Sequence, residues 1–277
     1  MARWLNKKYI TLLMVTSLNA ALFAQMVPEV SDEDYKNPKT HENFKKRREA
    51  VSSWQINQLK NGALVVRLKT NQTLIDELRK SGKTEEADQK EAEQYLINQN
   101  IVRAFNNNYK FSKVYFIFSN SSDALLKGNT SGIFVDSTLR ASSTIAMTED
   151  FYLLAERDYV YNSSIGFVPE DSAAKVVEAG NPTREMAIVL KNKYGHQLKA
   201  PFPYFIQDRT FSNALTAVPT RVRYKDKDYM VSIPKTMTYE KFAPYVEKLD
   251  EKLATYHRKS PAPDEMKNYS DHKPFFY

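Results

Sequence analysis

The stretch Lys113-Val-Tyr-Phe-Ile-Phe-Ser-Asn-Ser-Ser-Asp123 (KVYFIFSNSSD) decides how the chain is read. Val114 to Phe118 are all apolar and run straight into small hydroxyl, amide and carboxylate side chains. A β-branched and aromatic run of this length predicts a strand covered on both faces. A second such run, Ala63-Leu-Val-Val-Arg-Leu68, lies upstream. Two helical segments separate them. In the first, Leu74, Ile75 and Leu78 share one side, Asn71 is placed to cap it and Ser81-Gly82 to close it. The second opens near Thr84, with Glu85 and Glu86 against the positive end of its dipole. It carries Ala92, Tyr95, Leu96, Ile101, Val102 and Phe105 at helical spacing and ends at Asn106-Asn107-Asn108. A strand, a helical hairpin and a second strand predict two parallel strands in one sheet, because so long a connection is a crossover.

The polar half of the stretch has two readings. Ligands in open α/β sheets bind beyond the carboxyl ends of the strands. Ser119, Asn120, Ser121, Ser122 and Asp123 are therefore candidate ligand-binding residues, suited to sugar or phosphate oxygens. The favoured reading is local: Ser122 or Asp123 caps a short helix, Ala124 to Lys127, which Gly128 terminates. The two are compatible, since a helix N-terminus attracts anions.

Further along, Gly132–Val135, Ser143–Ala146, Tyr152–Ala155 and Asp158–Tyr161 are short strand candidates, and Ser172–Glu178 a helical piece. Met186–Leu190 reads as a strand, and residues 198–206 as extended around Pro201 and Pro203. Arg221–Tyr224 and Tyr229–Ile233 flank a four-residue turn, Lys225 to Asp228, and form a hairpin. A last amphipathic helix opens at Thr238, with Phe242, Val246, Leu249 and Leu253 on one face. Pro244 places the start of its regular hydrogen bonding nearby. Upstream, residues 43–60 read as a helix stopped by Asn61-Gly62. The expectation is an α/β fold: a mixed, partly parallel sheet covered by helices, with a C-terminal β-hairpin and amphipathic helix.

Residues 1–24 have the pattern of a secretory signal peptide: basic Arg3, Lys7 and Lys8, an apolar run, then Ala20, Ala21 and Ala24. Cleavage after Ala24 is expected to leave 37 basic and 33 acidic residues, a net charge of +4. So mild and dispersed an excess argues against nucleic-acid binding. The basic cluster Lys45 to Arg48 reads as a solvated helix face. Residues 25–42 read as a flexible lead-in, 43–258 as a single α/β domain and 259–277 as a flexible tail. No transmembrane span is expected after cleavage. The expected location is the periplasm or the cell surface.

The chain has no cysteine, so disulfides, thiol chemistry and cysteine-ligated zinc are excluded. His41, His196, His257 and His272 are far apart and form no metal-binding pair, so no metal is expected. A nucleophile elbow of the GxSxG kind is absent, as are the glycine loops that cradle nucleotide phosphates. No cofactor is expected. Glu149, Asp150, Glu156, Asp158, Asp34, Glu170 and Asp171 could supply paired carboxylates, but spacing alone does not place two of them across one substrate.

The succession GALVVRLKT (62–70), LRKSGKTEEA (78–87), AFNNNYKFSKVYFIFSNSS (104–122) and PFPYFI (201–206) resembles an uncharacterised family of secreted proteins of Bacteroidota-type bacteria. The resemblance would span residues 60–255 and implies an envelope address but no catalytic residues. Two functions are carried forward. The first is non-catalytic partner binding or assembly in the cell envelope, which the 17 tyrosines and 15 phenylalanines favour if they serve an interface rather than the core. The alternative is a hydrolase or transferase acting on a glycan or phosphate ester near residues 119–123.

Overall fold

The computed structural model describes residues 38–161, 182–207 and 216–261. The expected signal peptide, the start of the lead-in, the 172–178 helix and most of the tail lie outside those residues, as do Asp34, Glu170 and Asp171.

Helix α1 (Pro38–Asn61) leads into β1 (Ala63–Leu68), followed by α2 (Gln72–Lys80), α3 (Thr84–Asn108) and β2 (Lys113–Phe118). Helix α1 starts earlier than the sequence predicted, because Pro38 occupies its first position, where a missing N–H costs nothing. Strand β1 pairs in parallel with β2, from Ala63 opposite Lys113 to Leu68 opposite Phe118. All six residues of β1 are buried, as expected of a central strand. A 3-10 turn (Ser119–Ser121) and the short helix α4 (Ser122–Leu126) follow β2.

Strand β3 (Tyr152–Tyr161) pairs in parallel with β1 on its other side. Strands β4 (Pro182–Lys191) and β5 (Phe205–Gln207) add on antiparallel, giving the order β2-β1-β3-β4-β5. The two short strands expected at 152–155 and 158–161 are thus one. The strands expected at 132–135 and 143–146 are absent. That segment makes only single bridges, such as Ile117 to Phe134 and Val135 to Ala141. Its apolar residues plug a sheet face instead of extending the sheet.

Alternation along the strands separates the two faces. Leu64, Val66 and Leu68 of β1, with Leu153 and Ala155 of β3, pack under α3 and α5 against Phe105, Phe242, Val246 and Leu249. Helix α5 (Tyr239–Lys259) is the expected C-terminal helix: Thr238 precedes it, and its first full helical bond, from the Phe242 N–H to the Thr238 carbonyl, falls just before Pro244. On the opposite face Ala63, Val65, Ile117 and Leu154 meet Leu125, Phe134 and Met147 from α4 and the irregular segment. Burying each such side chain contributes roughly 1.5–3 kcal/mol. Many of the aromatic residues fill this core: Phe105, Phe134 and Phe202 are fully buried.

The hairpin of β6 (Ala217–Tyr224) and β7 (Lys227–Pro234) forms a separate two-stranded sheet. It docks on α3 through Val222, Val231 and Ile233 against Ala92. Its turn is Lys225-Asp226 alone, two residues where four were expected. Gly62 ends α1 as anticipated, for a different reason. A Cβ there would lie 2.3 Å from the Phe151 carbonyl oxygen, which accepts the Ala63 N–H at 3.0 Å. Among the described residues no helix is long and apolar enough to cross a membrane.

Candidate functional site

The connection leaving β1 lies on the helical face, through α2 and α3, and the one leaving β2 starts on the other, through α4, Phe134 and Met147, while its Val135 and Leu139 reach the helical-face core. Adjacent parallel strands whose connections part in this way open a crevice at their carboxyl ends. Two polar constellations lie at this end of the sheet, and the turn at 119–122 touches both.

The first is buried. Arg67, Glu156 and Lys191 come from β1, β3 and β4, on the face opposite the helices, and are 9%, 5% and 6% exposed. Arg67 Nη1 donates to Glu156 Oε2 at 2.7 Å. Lys191 Nζ donates to Glu156 Oε1 and, at 2.7 Å, to Asp158 Oδ2. Arg67 Nε donates to Ser122 Oγ at 2.8 Å, and that hydroxyl donates to the Ser119 carbonyl at 2.7 Å. Burial works to raise the Glu156 carboxyl, but Lys191 and Arg67 outweigh it and hold it well below the usual carboxylate range. Burial and the neighbouring Glu156 push Asp158 up, against the pull of Lys191. Lys191 resists the lowering effect of burial because two carboxylates face it, and it is raised.

The favoured capping role for Ser122 or Asp123 is not what the structure shows. No side chain caps α4. Ser122 is turned inward because Arg67, in the buried centre of the sheet, requires an acceptor for its Nε–H. Gly128 does end α4 as expected, at φ 89°, with Asn129 N–H bonded back to the Ala124 carbonyl.

The second constellation is an open groove of about 680 Å³. Thr70 and Gln72 border it from the end of β1 and the start of α2, Phe118 and Asn120 from the end of β2, Thr138 to Arg140 from the irregular segment, and Arg223 to Asp226 from the hairpin. Its volume falls within the range of ligand sites, roughly 300–1,000 Å³. Asn71 was expected to cap α2. Instead it adopts φ 52° and makes no cap bond. Its amide donates to Gln94 Oε1 at 2.6 Å, Gln94 donates to Asn98 at 3.0 Å, and Asn98 donates to the Lys69 carbonyl at 2.9 Å. This amide chain ties α3 to the end of β1 along the groove floor.

The segment 136–140 is closed by its own bonds. Asp136 Oδ1 accepts from the N–H groups of Thr138 and Arg140 and from the Thr138 hydroxyl. Those donors hold the Asp136 carboxyl below its ordinary value. Leu139, at the tip, sits at φ 63°. In the hairpin turn Lys225 and Asp226 sit at φ 47° and 62°. Among the described residues, the non-glycine residues with positive φ are Asn71, Leu139, Lys225 and Asp226. Leu139, Lys225 and Asp226 line the groove, and Asn71 lies between two residues that do. Glu91, beneath the hairpin, takes Arg79 and Lys225, each at 2.6 Å.

The five residues anticipated from the sequence therefore divide. Asn120 lines the groove. Ser122 joins the buried network, and Ser119 lends it a carbonyl while its hydroxyl lies 3.3 Å from that of Thr70. Neither Ser121 nor Asp123 lines the groove. Of the anticipated carboxylates, Glu156 and Asp158 converge, but on cations. Glu149 pairs with Lys113 and accepts from Tyr115 at 2.9 Å. Sequence reasoning missed Arg140, Arg223 and Lys225, because only the folded hairpin and the 136–140 loop bring them to the strand ends. Compared with known proteins, the chain matches no protein-family model, no curated protein and no solved structure.

Proposed function

We propose that this protein is a non-catalytic binding protein of a cell envelope, which holds a polar ligand in the groove at the carboxyl ends of β1 and β2. The observation that carries the reading is the gathering of left-handed, non-glycine residues around that single groove. A non-glycine residue in this conformation costs roughly 1–2 kcal/mol, less for asparagine and aspartate. At Lys225 and Asp226 the two-residue hairpin itself requires this conformation; at Asn71 and Leu139 it persists because the surrounding structure over-determines it, as at ligand clamps. The export half of the proposal rests on the signal-like residues 1–24 and on the resemblance to secreted proteins.

The chemistry around residues 119–123 favours binding over hydrolysis or transfer. The Ser122 hydroxyl gives its hydrogen to a carbonyl and receives one from a guanidinium. A nucleophilic hydroxyl needs a neighbouring base, and Arg67 is a permanent cation. The test uses native mass spectrometry on the purified protein after incubation with digested bacterial envelope polysaccharide. The expected result is a retained ligand of constant mass, lost in the N120A/R140A double variant at an unchanged Tm. Retention by both proteins, or steady cleavage of the ligand, would overturn the reading.

A further inference from the structure

Resting on the groove as a binding site, we infer that its ligand is an acidic oligosaccharide, whose anionic groups meet Arg140 and Arg223 and whose hydroxyls meet Asn120 and Thr70. Charge in the groove is unevenly spent. Glu91 is shared by two cations, Arg79 and Lys225, and has no capacity left for a cationic ligand. Arg223 meets only Asp226 among the described residues, at 3.9 Å, beyond hydrogen-bond reach, and both side chains are largely solvated. Arg140 engages its loop through its backbone, and its guanidinium makes no hydrogen bond or ion pair among the described residues. Two forked donors thus line the groove with hydrogen-bonding capacity to spare, Arg140 in the field of Asp136 and Arg223 beside Asp226. The guanidinium fork matches carboxylate and phosphate bidentately.

The neutral polar groups come from other elements. Asn120 stands at the end of β2 with its amide unbonded among the described residues, and Thr70 follows β1. An amide that both donates and accepts suits a sugar hydroxyl, which does the same. Tyr224 adds an aromatic surface, tilted 42° to Tyr95 at 5.0 Å between ring centres. At that spacing the two rings contact each other and leave no slot between them for a flat base. Anionic groups at the guanidinia and hydroxyls along the strand ends describe an acidic sugar better than a nucleotide.

Isothermal titration of the full-length protein tests this with four probes: trigalacturonate, its methyl ester, glucose 6-phosphate and triglutamate. Trigalacturonate, glucose 6-phosphate or both should bind, the pair separating carboxylate from phosphate as the anionic group. The uncharged ester should bind at least about 10-fold more weakly than trigalacturonate, the effect of losing a charge-assisted contact. R140A should lower affinity for the acidic sugar by about 10-fold without moving Tm, R140K should restore part of it, and added salt should weaken it. The inference is overturned if the ester binds as well as the acid, if R140A binds normally, if triglutamate matches the sugars, or if neither acidic sugar binds. Any of these alongside an envelope ligand still lost in N120A/R140A overturns the ligand class and leaves the groove standing. Loss of that adduct result overturns the groove itself.

Discussion

The two polar constellations at one end of the sheet use the same residue types to opposite ends. In the buried network Arg67, Lys191, Glu156 and Asp158 face one another, and the free hydrogen-bonding capacity of Arg67 is met by Ser122. In the groove Arg140, Arg223 and Asn120 face solvent, and the backbone beneath them is strained. A few ångströms of chain, Ser119 to Ser122, serve both. The difference teaches that a polar loop at a strand end does not declare its role by composition. What separates the roles is whether each charge has a partner and whether the backbone is relaxed.

Breaking the network should produce the largest effect. Glu156→Ala leaves Arg67 and Lys191 buried without their shared carboxylate and should cost about 3–5 kcal/mol. Urea unfolding would read it as a lower midpoint at an unchanged slope. Asp158→Asn should cost less, because burial and Glu156 already raise that carboxyl and weaken its hold on a charge.

Acid should sharpen the same contrast. Glu149 is lowered to about 2: burial works against this, and the hydrogen bonds from Lys113 and Tyr115 prevail. Glu156 is lowered as well. Unfolded glutamates titrate near about 4.3, so the stability these two supply is fully present above that pH. It is lost as pH falls toward their folded values, because the unfolded chain then binds more protons. Asp158 has the opposite sign: its folded value is raised, so its contribution is present at low pH and is lost as pH rises through that value. Glu149→Gln should therefore make the fall in Tm below pH 4 shallower, whereas Asp158→Asn should remove a loss of stability that sets in as pH rises above the ordinary aspartate value of about 3.9.

In the groove the ranking reverses, with small effects on stability and large ones on binding. Arg140→Ala should change stability by no more than about 0.5 kcal/mol, as expected of an exposed side chain that makes no side-chain hydrogen bond among the described residues. Asp226→Gly should raise Tm by about 2–4 °C, since glycine accepts φ 62° freely and the strain amounts to roughly 1 kcal/mol. A Tm that falls on this substitution would show that the turn is not strained.

The strands β1 and β2 were legible as short, continuous β-branched and aromatic runs, and the helical hairpin between them and α5 by apolar residues at helical spacing. The 127–151 segment was not. Its apolar residues Ile133, Phe134 and Met147 resemble strand residues, yet they pack inward from loops. Strand β4 begins at Pro182, ahead of the start expected at Met186. The candidate site was half legible. Its place after β2 and the residue Asn120 followed from parallel topology. The capping roles given to Asn71 and Ser122 failed because both side chains found buried partners distant in sequence, Gln94 and Arg67. Local propensity has no knowledge of such partners. Arg140 and Arg223 carry no local signature at all, since their meaning depends on which of their neighbours go without a counter-charge.

The central claim, an open binding groove beside a closed structural network, is tested most directly by mapping amide chemical-shift changes as trigalacturonate is titrated into the protein. The largest changes should cluster at Thr70, Asn120, Thr138 to Arg140 and Arg223 to Asp226, with Asp158 and Lys191 undisturbed. Changes centred instead on a different surface hollow, such as the one around Lys60, Phe111 and His257, or on the buried network, would contradict it.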